Sequence, residues 1–219
     1  DVYKRQHLPI ERYLDDKDMS LDFILITHHH SDHIDGINHL KLKYSPKIIG
    51  AKRDRHRLPQ LDIEVEEGKQ LTIGSKTFDI YDVDGHTVGH IAYSLLEDKA
   101  LFTGDSLMVM GCGRLFEGSP EDMWKSLEKL KQLPEDFMIY SGHEYTKSNI
   151  EFAVTVDPQN EKLISRRTKE LEHLQKGLPT VPSTLREELD TNPFLRESEL
   201  AIVDHLDMAN LDPISRFAK

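Results

Sequence analysis

The run Thr27-His28-His29-His30-Ser31-Asp32-His33 constrains this chain more than any other feature, because the surrounding polypeptide must build around it. It follows residues 21–27, an apolar stretch that reads as a short buried strand. Successive side chains alternate in extended backbone, so His28 and His30 share one side and His29 faces the other. Asp32 and His33 follow in the turn, and ligands from His28, His30, Asp32 and His33 can converge. Imidazole together with carboxylate suits zinc, iron or manganese rather than calcium. A chance histidine-rich loop does not account for His-x-His-x-Asp-His spacing at a strand end.

One loop supplies too few ligands for two ions, so partners are sought at other strand ends. Further strands are predicted at 47–50, 70–73, 77–83, 90–95, 100–103 and 137–140, several bounded by Gly or Asp turn signals. Gly85-His86-Thr87-Val88-Gly89-His90 follows the strand at 77–83, Asp105 ends the one at 100–103, and His143 ends the one at 137–140. A lone histidine is more often a hydrogen-bonded structural residue. Three candidates placed alike, downstream of the cluster, favour a ligand set.

The remainder of the pattern is helical. Ser119-Pro120-Glu121-Asp122 is a helix start, with Met123, Leu127, Leu130 and Leu133 on one face. After about residue 150 strands give way to helices. Asp157-Pro158 is expected to open a helix bearing Leu163, Ile164, Leu171 and Leu174 and stopped by Gly177, and Thr184 to Glu187 has capping-box spacing. The expectation is an α+β chain, a sheet-containing domain over 1–150 and a helical domain over 151–219.

The net charge of −11, from 39 acids against 28 bases, disfavours nucleic acid as a partner, and there is no basic arm. A single cysteine, Cys112, excludes an internal disulfide and a cysteine-rich metal site, and is consistent with a reducing compartment. The longest apolar runs are strand-length, so no membrane span is expected. The cytoplasm is the expected location.

The histidine cluster, the His86 segment, Asp105 and His143 together resemble the metallo-β-lactamase superfamily. That resemblance implies an αββα sandwich with two divalent ions at one sheet edge, zinc foremost, with iron or manganese as alternatives. It implies one ion on His28, His30 and His86 and a second on Asp32, His33 and His143, with Asp105 bridging. Asp32 and Asp105 would be the catalytic carboxylates. His90 looks like the family's supporting histidine, and His7, His39, His56, His173 and His205 read as surface or structural.

A narrower match is to the hydroxyacylglutathione hydrolase (glyoxalase II) family. It is carried by Gly111-Cys112-Gly113-Arg114-Leu115-Phe116-Glu117-Gly118, by His143-Glu144-Tyr145-Thr146, and by three stretches of the helical tail: Asp157 to Asn160, Gly177 to Leu185 and Asn192 to Arg196. The resemblance runs over residues 9–196. It implies hydrolysis of the thioester of S-D-lactoylglutathione by a hydroxide shared between the ions; a monomer is the separate expectation. Arg114, Phe116, Tyr145 and Arg196 would contact the small-molecule substrate, whose carboxylates call for Arg forks.

Three departures stand out. Family members carry strands before the helix that residues 9–14 resemble, so the catalytic domain is expected to lack its N-terminal strands and to leave a sheet edge open. Residues 1–6 match nothing in the family. Asp84 stands where an uncharged residue is common, and Glu197 and Glu199 where relatives often offer a base. Rival readings are a lactonase or persulfide dioxygenase on the same fold, which would lack the helical tail, and an inactive metal-binding fragment.

Overall fold

The apolar run at 21–27 does form a strand, and the computed structural model, which describes residues 7–219, places its neighbours. Strands β1 (Phe23–Leu25), β2 (Lys47–Ala51) and β3 (Ile63–Val65) make a parallel three-stranded sheet in that order. The next four, β4 (Gln70–Ile73), β5 (Lys76–Asp82), β6 (Ile91–Leu95) and β7 (Ala100–Gly104), run antiparallel to one another. A small hairpin of β8 (Leu107–Met108) and β9 (Gly111–Cys112) follows. Then β10 (Met138–Ser141) returns beside β7 in parallel, and β11 (Ser183–Thr184) pairs antiparallel with β10. The large sheet therefore has the order β11-β10-β7-β6-β5-β4.

Period-two alternation explains how these sheets stack. In β6, Ile91 and Tyr93 join Ile49, Ala51, Val65 and Ile80 in one core cluster formed by both sheets. Ala92, one residue out of phase, instead packs with Leu101, Ile139, Met123, Leu127 and Leu130. The last three lie on helix α4 (Pro120–Leu130) once the earlier helices α1 (Leu8–Lys17), α2 (Ser31–Ile34) and α3 (Ile37–Tyr44) are numbered. In β2, Ile48 meets Ile26, Leu58 and Ile37, the last on α3. Helix, sheet, sheet and helix thus form four layers, the αββα sandwich.

Local signals act as the chemistry dictates at α4. Ser119 accepts from the Asp122 backbone while Asp122 accepts from the Ser119 backbone, a reciprocal cap with proline at the first position. The C-terminal part adds α5 (Thr146–Val156), α6 (Glu161–Gln175), α7 (Leu185–Thr191), α8 (Leu200–His205) and α9 (Pro213–Ala218). The Thr184–Glu187 capping box forms. Asp157-Pro158, however, does not open a helix. Asp157 ends α5, because a residue before proline is driven from the helical region, and Asn160 caps α6 by accepting from Lys162 and Leu163. Gly177, at φ +68°, ends α6 as expected.

No helix among the described residues is long and apolar enough to cross a membrane. The expectation for residues 1–6 lies outside the described residues.

Candidate metal centre and substrate cavity

The histidine loop is held by backbone before its side chains act. Ile26 donates to the Ile49 carbonyl and Ile91 to the Thr27 carbonyl, both at 2.9 Å, so the end of β1 is stitched to β2 and to β6. His28 and His30 leave this extended segment, and Asp32 and His33 sit in the first turn of α2. His86 arrives on the loop between β5 and β6, Asp105 directly after β7, and His143 just after β10.

Two groups of potential ligand atoms result: His28, His30 and His86, and Asp32, His33, Asp105 and His143, with the atoms within each group no more than 4.8 Å apart. In the first, His86 Nε2 lies 3.0 Å from His30 Nδ1. The His86 Nδ1–H donates to the Arg114 carbonyl at 2.8 Å, which fixes the tautomer and turns the Nε2 lone pair toward His30. In the second, His143 Nε2 lies 3.1 Å from Asp32 and 3.0 Å from Asp105 Oδ2, and His33 Nε2 lies 3.4 Å from Asp105 Oδ1. Asp105 Oδ2 also stands 3.5 Å from His86 Nε2, so one carboxylate faces both groups.

The electrostatics fit divalent cations. Burial, followed by the neighbouring His90 and His33, pushes the pKa of His28 far down, and burial also lowers His30 and His86. These imidazoles are neutral and their lone pairs free to ligate. Burial opposes ionisation of Asp105, but hydrogen bonds with His143 and His33 outweigh it and hold the carboxylate well below the usual range. The buried His28 Nε2 has no hydrogen-bond partner among the described residues, an arrangement a cation would satisfy. Two glycines leave room: a Cβ on Gly142 would stand 2.1 Å from Asp105 Oδ1, and Gly104, at φ +53°, would meet Thr27 and His90. The fully buried His90, which burial lowers to about 3, accepts from the Asp105 N–H at 3.1 Å. His29 faces away from both groups and meets Asp54 at 2.9 Å.

Beside these groups opens a cavity of about 1130 Å³ lined by Arg114, Phe116 and Tyr145, together with His30, Asp32, His86, Asp105 and His143. Tyr145 stacks on His143 at 4.6 Å with 5° between planes, and the Phe116 ring meets His30 and His86 edge-on at 5.6 and 5.3 Å. Arg196 is not among the cavity-lining residues: its guanidinium donates to the buried Asp157 at 3.3 Å and to the Leu189 carbonyl. Asp84, the unusual charge before Gly85, is taken up by Arg53 and by the Gly89 N–H at 2.7 Å. Glu197 is likewise turned inward, accepting from the Trp124 indole at 3.3 Å.

Sequence reasoning missed the far wall, which Ser148, Asn149, Phe152 and Phe194 provide. The first three lie on α5 at helical spacing, a signal hidden because the buried face of that helix is made of Thr146, Ile150 and Ala153. Phe194 stacks on Phe152 at 5.4 Å and so ties the helical tail to the cavity.

A family model described as the metallo-beta-lactamase superfamily matches residues 3–143, and one described as the hydroxyacylglutathione hydrolase C-terminus matches residues 144–219. A hydroxyacylglutathione hydrolase of Ruegeria pomeroyi is 50% identical over 211 residues, which are 96% of this chain and 83% of the relative. The chain belongs to the hydroxyacylglutathione hydrolase family. A hydroxyacylglutathione hydrolase of Methylococcus capsulatus, 43% identical over 96% of this chain and 82% of its own, shows how far that likeness extends. Solved structures carry the fold alone. A B3 metallo-beta-lactamase, BLEG-1, superposes with a TM-score of 0.65 at 23% identity over 86% of this chain and 84% of its own. ETHE1 from Myxococcus xanthus gives 0.63 at 22% over 97% and 81%. Membership of the hydroxyacylglutathione hydrolases makes this chain a metal-dependent hydrolase.

Proposed function

We propose that this chain hydrolyses the thioester of S-D-lactoylglutathione, and of S-(2-hydroxyacyl)glutathiones as a class, to glutathione and the free hydroxy acid. The observation that carries the reading is the placement of Asp105, whose Oδ2 faces His86 on one side and His143 on the other. His28, His30 and His86 would hold one divalent ion, and Asp32, His33 and His143 a second, with Asp105 shared between them. The donor set suits zinc first, then iron or manganese. When bound, such a pair supplies Lewis acidity and a water acidic enough to ionise near neutral pH.

The chain's own groups arrange the rest. Asp32 and Asp105 face the cavity, where carboxylate oxygens accept a hydrogen bond from the attacking water and orient it toward the carbonyl carbon. The carbon–sulfur bond breaks and the sulfur leaves as a thiolate, a better leaving group than an alkoxide because thiols are the stronger acids. Arg114 offers a fork to a glutathione carboxylate, Tyr145 flanks the conjugate, and Phe116 covers the histidines from solvent. Cys112 takes no part: burial pushes its thiol up to about 12, so it is not a nucleophile at neutral pH.

The test is thiol release from S-D-lactoylglutathione by the metal-loaded protein, run beside a lactone substrate and with bound metal measured. Release of one thiol per thioester consumed is the expected result. Turnover of the lactone alone, or two bound ions without thioester hydrolysis, would overturn the proposal.

A further inference from the structure

We infer that Glu117 is a positioning residue for substrate recognition, strapping the loop at 113–118, with Arg114 and Phe116, over the ligand groups; this rests on the thioesterase reading above. Glu117 Oε2 accepts from the Val88 N–H at 2.8 Å, and the two carboxylate oxygens accept from Arg57 Nη1 at 2.8 and 2.9 Å. Oε1 also lies 3.3 Å from His29 Nε2. Arg57 is itself pinned, donating from Nε to Asp54 Oδ1 at 2.5 Å and from Nη2 to the Val88 carbonyl. Asp54 is fully buried and meets His29 Nδ1 with its other oxygen at 2.9 Å.

One carboxylate therefore joins the loop that carries His28 to His33, the loop that carries His86, and the loop that carries Arg114. There is no slack beneath it: a Cβ on Gly89 would come within 2.8 Å of Asp54 Cβ. Backbone bonds flank Glu117 on either side, Phe116 N–H to the His86 carbonyl at 3.2 Å and Gly118 N–H to the Gly85 carbonyl at 3.1 Å. Phe116 is 64% exposed and has no packed pocket of its own. Its edge-on seat over His30 and His86 is therefore set by how this short segment is held.

Charge and position make opposite forecasts for Glu117→Ala. Removing an anion from the cavity lining and leaving Arg57 with Asp54 as its remaining acidic partner should, by charge alone, draw an anionic substrate in and lower KM. Loss of positioning should raise it. Steady-state kinetics on S-D-lactoylglutathione, bound-metal content and thermal melting are measured on the full chain and its variants. The expected result is a KM raised about tenfold with kcat changed by less than about twofold, the pattern of lost ground-state and transition-state binding alike. Metal content should be unchanged. Glu117→Gln, which retains an acceptor for Val88, should return KM to within about threefold of the parent. An unchanged or lowered KM in Glu117→Ala would overturn the inference. So would a collapse of kcat together with metal content and melting temperature, the signature of a merely structural residue. If the parent protein itself neither hydrolyses the thioester nor binds S-methylglutathione, the functional reading fails first and this inference with it.

Discussion

Replacing Glu188 with alanine should be among the most damaging changes outside the metal centre. Its carboxylate is fully buried and accepts from the Met110 N–H at 2.8 Å, Asn192 Nδ2 at 3.0 Å, Ser183 Oγ at 2.6 Å and Arg166 Nη2 at 2.6 Å. Arg166 is 5% exposed and also donates to Thr191 at 2.7 Å. Glu188→Ala leaves that guanidinium with Glu170, at 3.6 Å, as its remaining buried counter-charge, and breaking a buried pair from one side costs about 3–5 kcal/mol. Taking about 4 kcal/mol, and about 2–4 °C of Tm per kcal/mol for a chain of this size, the melting temperature should fall by roughly 8–16 °C. Thermal unfolding followed by circular dichroism measures this directly. The double variant Arg166→Met with Glu188→Met removes both charges and should recover much of the loss. A single-variant drop under about 2 °C, or a double variant no better than the single, would refute the reasoning. The damage should also reach the cavity. Met110 is a non-glycine residue at φ +53° between β8 and β9, and Glu188 holds its N–H.

Gly142→Ala should perturb the metal centre without replacing a ligand, since the added methyl would stand 2.1 Å from Asp105 Oδ1 and push that carboxylate aside. Relieving that overlap shifts the carboxylate by about 1 Å, a misplacement that lowers turnover by about a hundredfold, and a variant that binds two ions and works like the parent would contradict it. Asp105→Ala should abolish turnover and reduce bound metal to one ion or none per chain; elemental analysis alongside the thiol assay checks this, and two retained ions would refute the shared-ligand arrangement. Cys112→Ala should turn over as the parent does, because its thiol is protonated at neutral pH. Loss of activity in a well-folded Cys112→Ala protein would reopen covalent catalysis.

The site was more legible than the scaffold because its signals are short-ranged. His28, His30, Asp32 and His33 are neighbours in sequence, and alternation alone states which share a side. Asp105 and His143 could be picked out because each closes an apolar strand. By contrast β3, β8, β9 and β11 are two or three residues long and too short to show a period. The acid–proline pair at Asp157 was read as a helix start when it terminates α5, since the same two residues serve at both kinds of boundary. Arg196 was read as a contact for a substrate carboxylate, and nothing local announces that Asp157, thirty-nine positions away, will hold it. The strap on Glu117 is invisible for the same reason, its partners lying at Arg57, Val88 and His29.

The parallel pairing of β7 with β10 carries a consequence for how such an enzyme can change. Asp105 and His143 issue from adjoining strand ends, and the Gly142 N–H donates to the Gly104 carbonyl at 2.6 Å between them. Their separation is a dimension of the peptide ladder and not of side-chain packing. Residues that shape the far wall, such as Phe152 and Phe194, belong to helical segments on other parts of the chain. Redesign of that wall can therefore be confined to those segments, leaving the reactive geometry as an unaltered template.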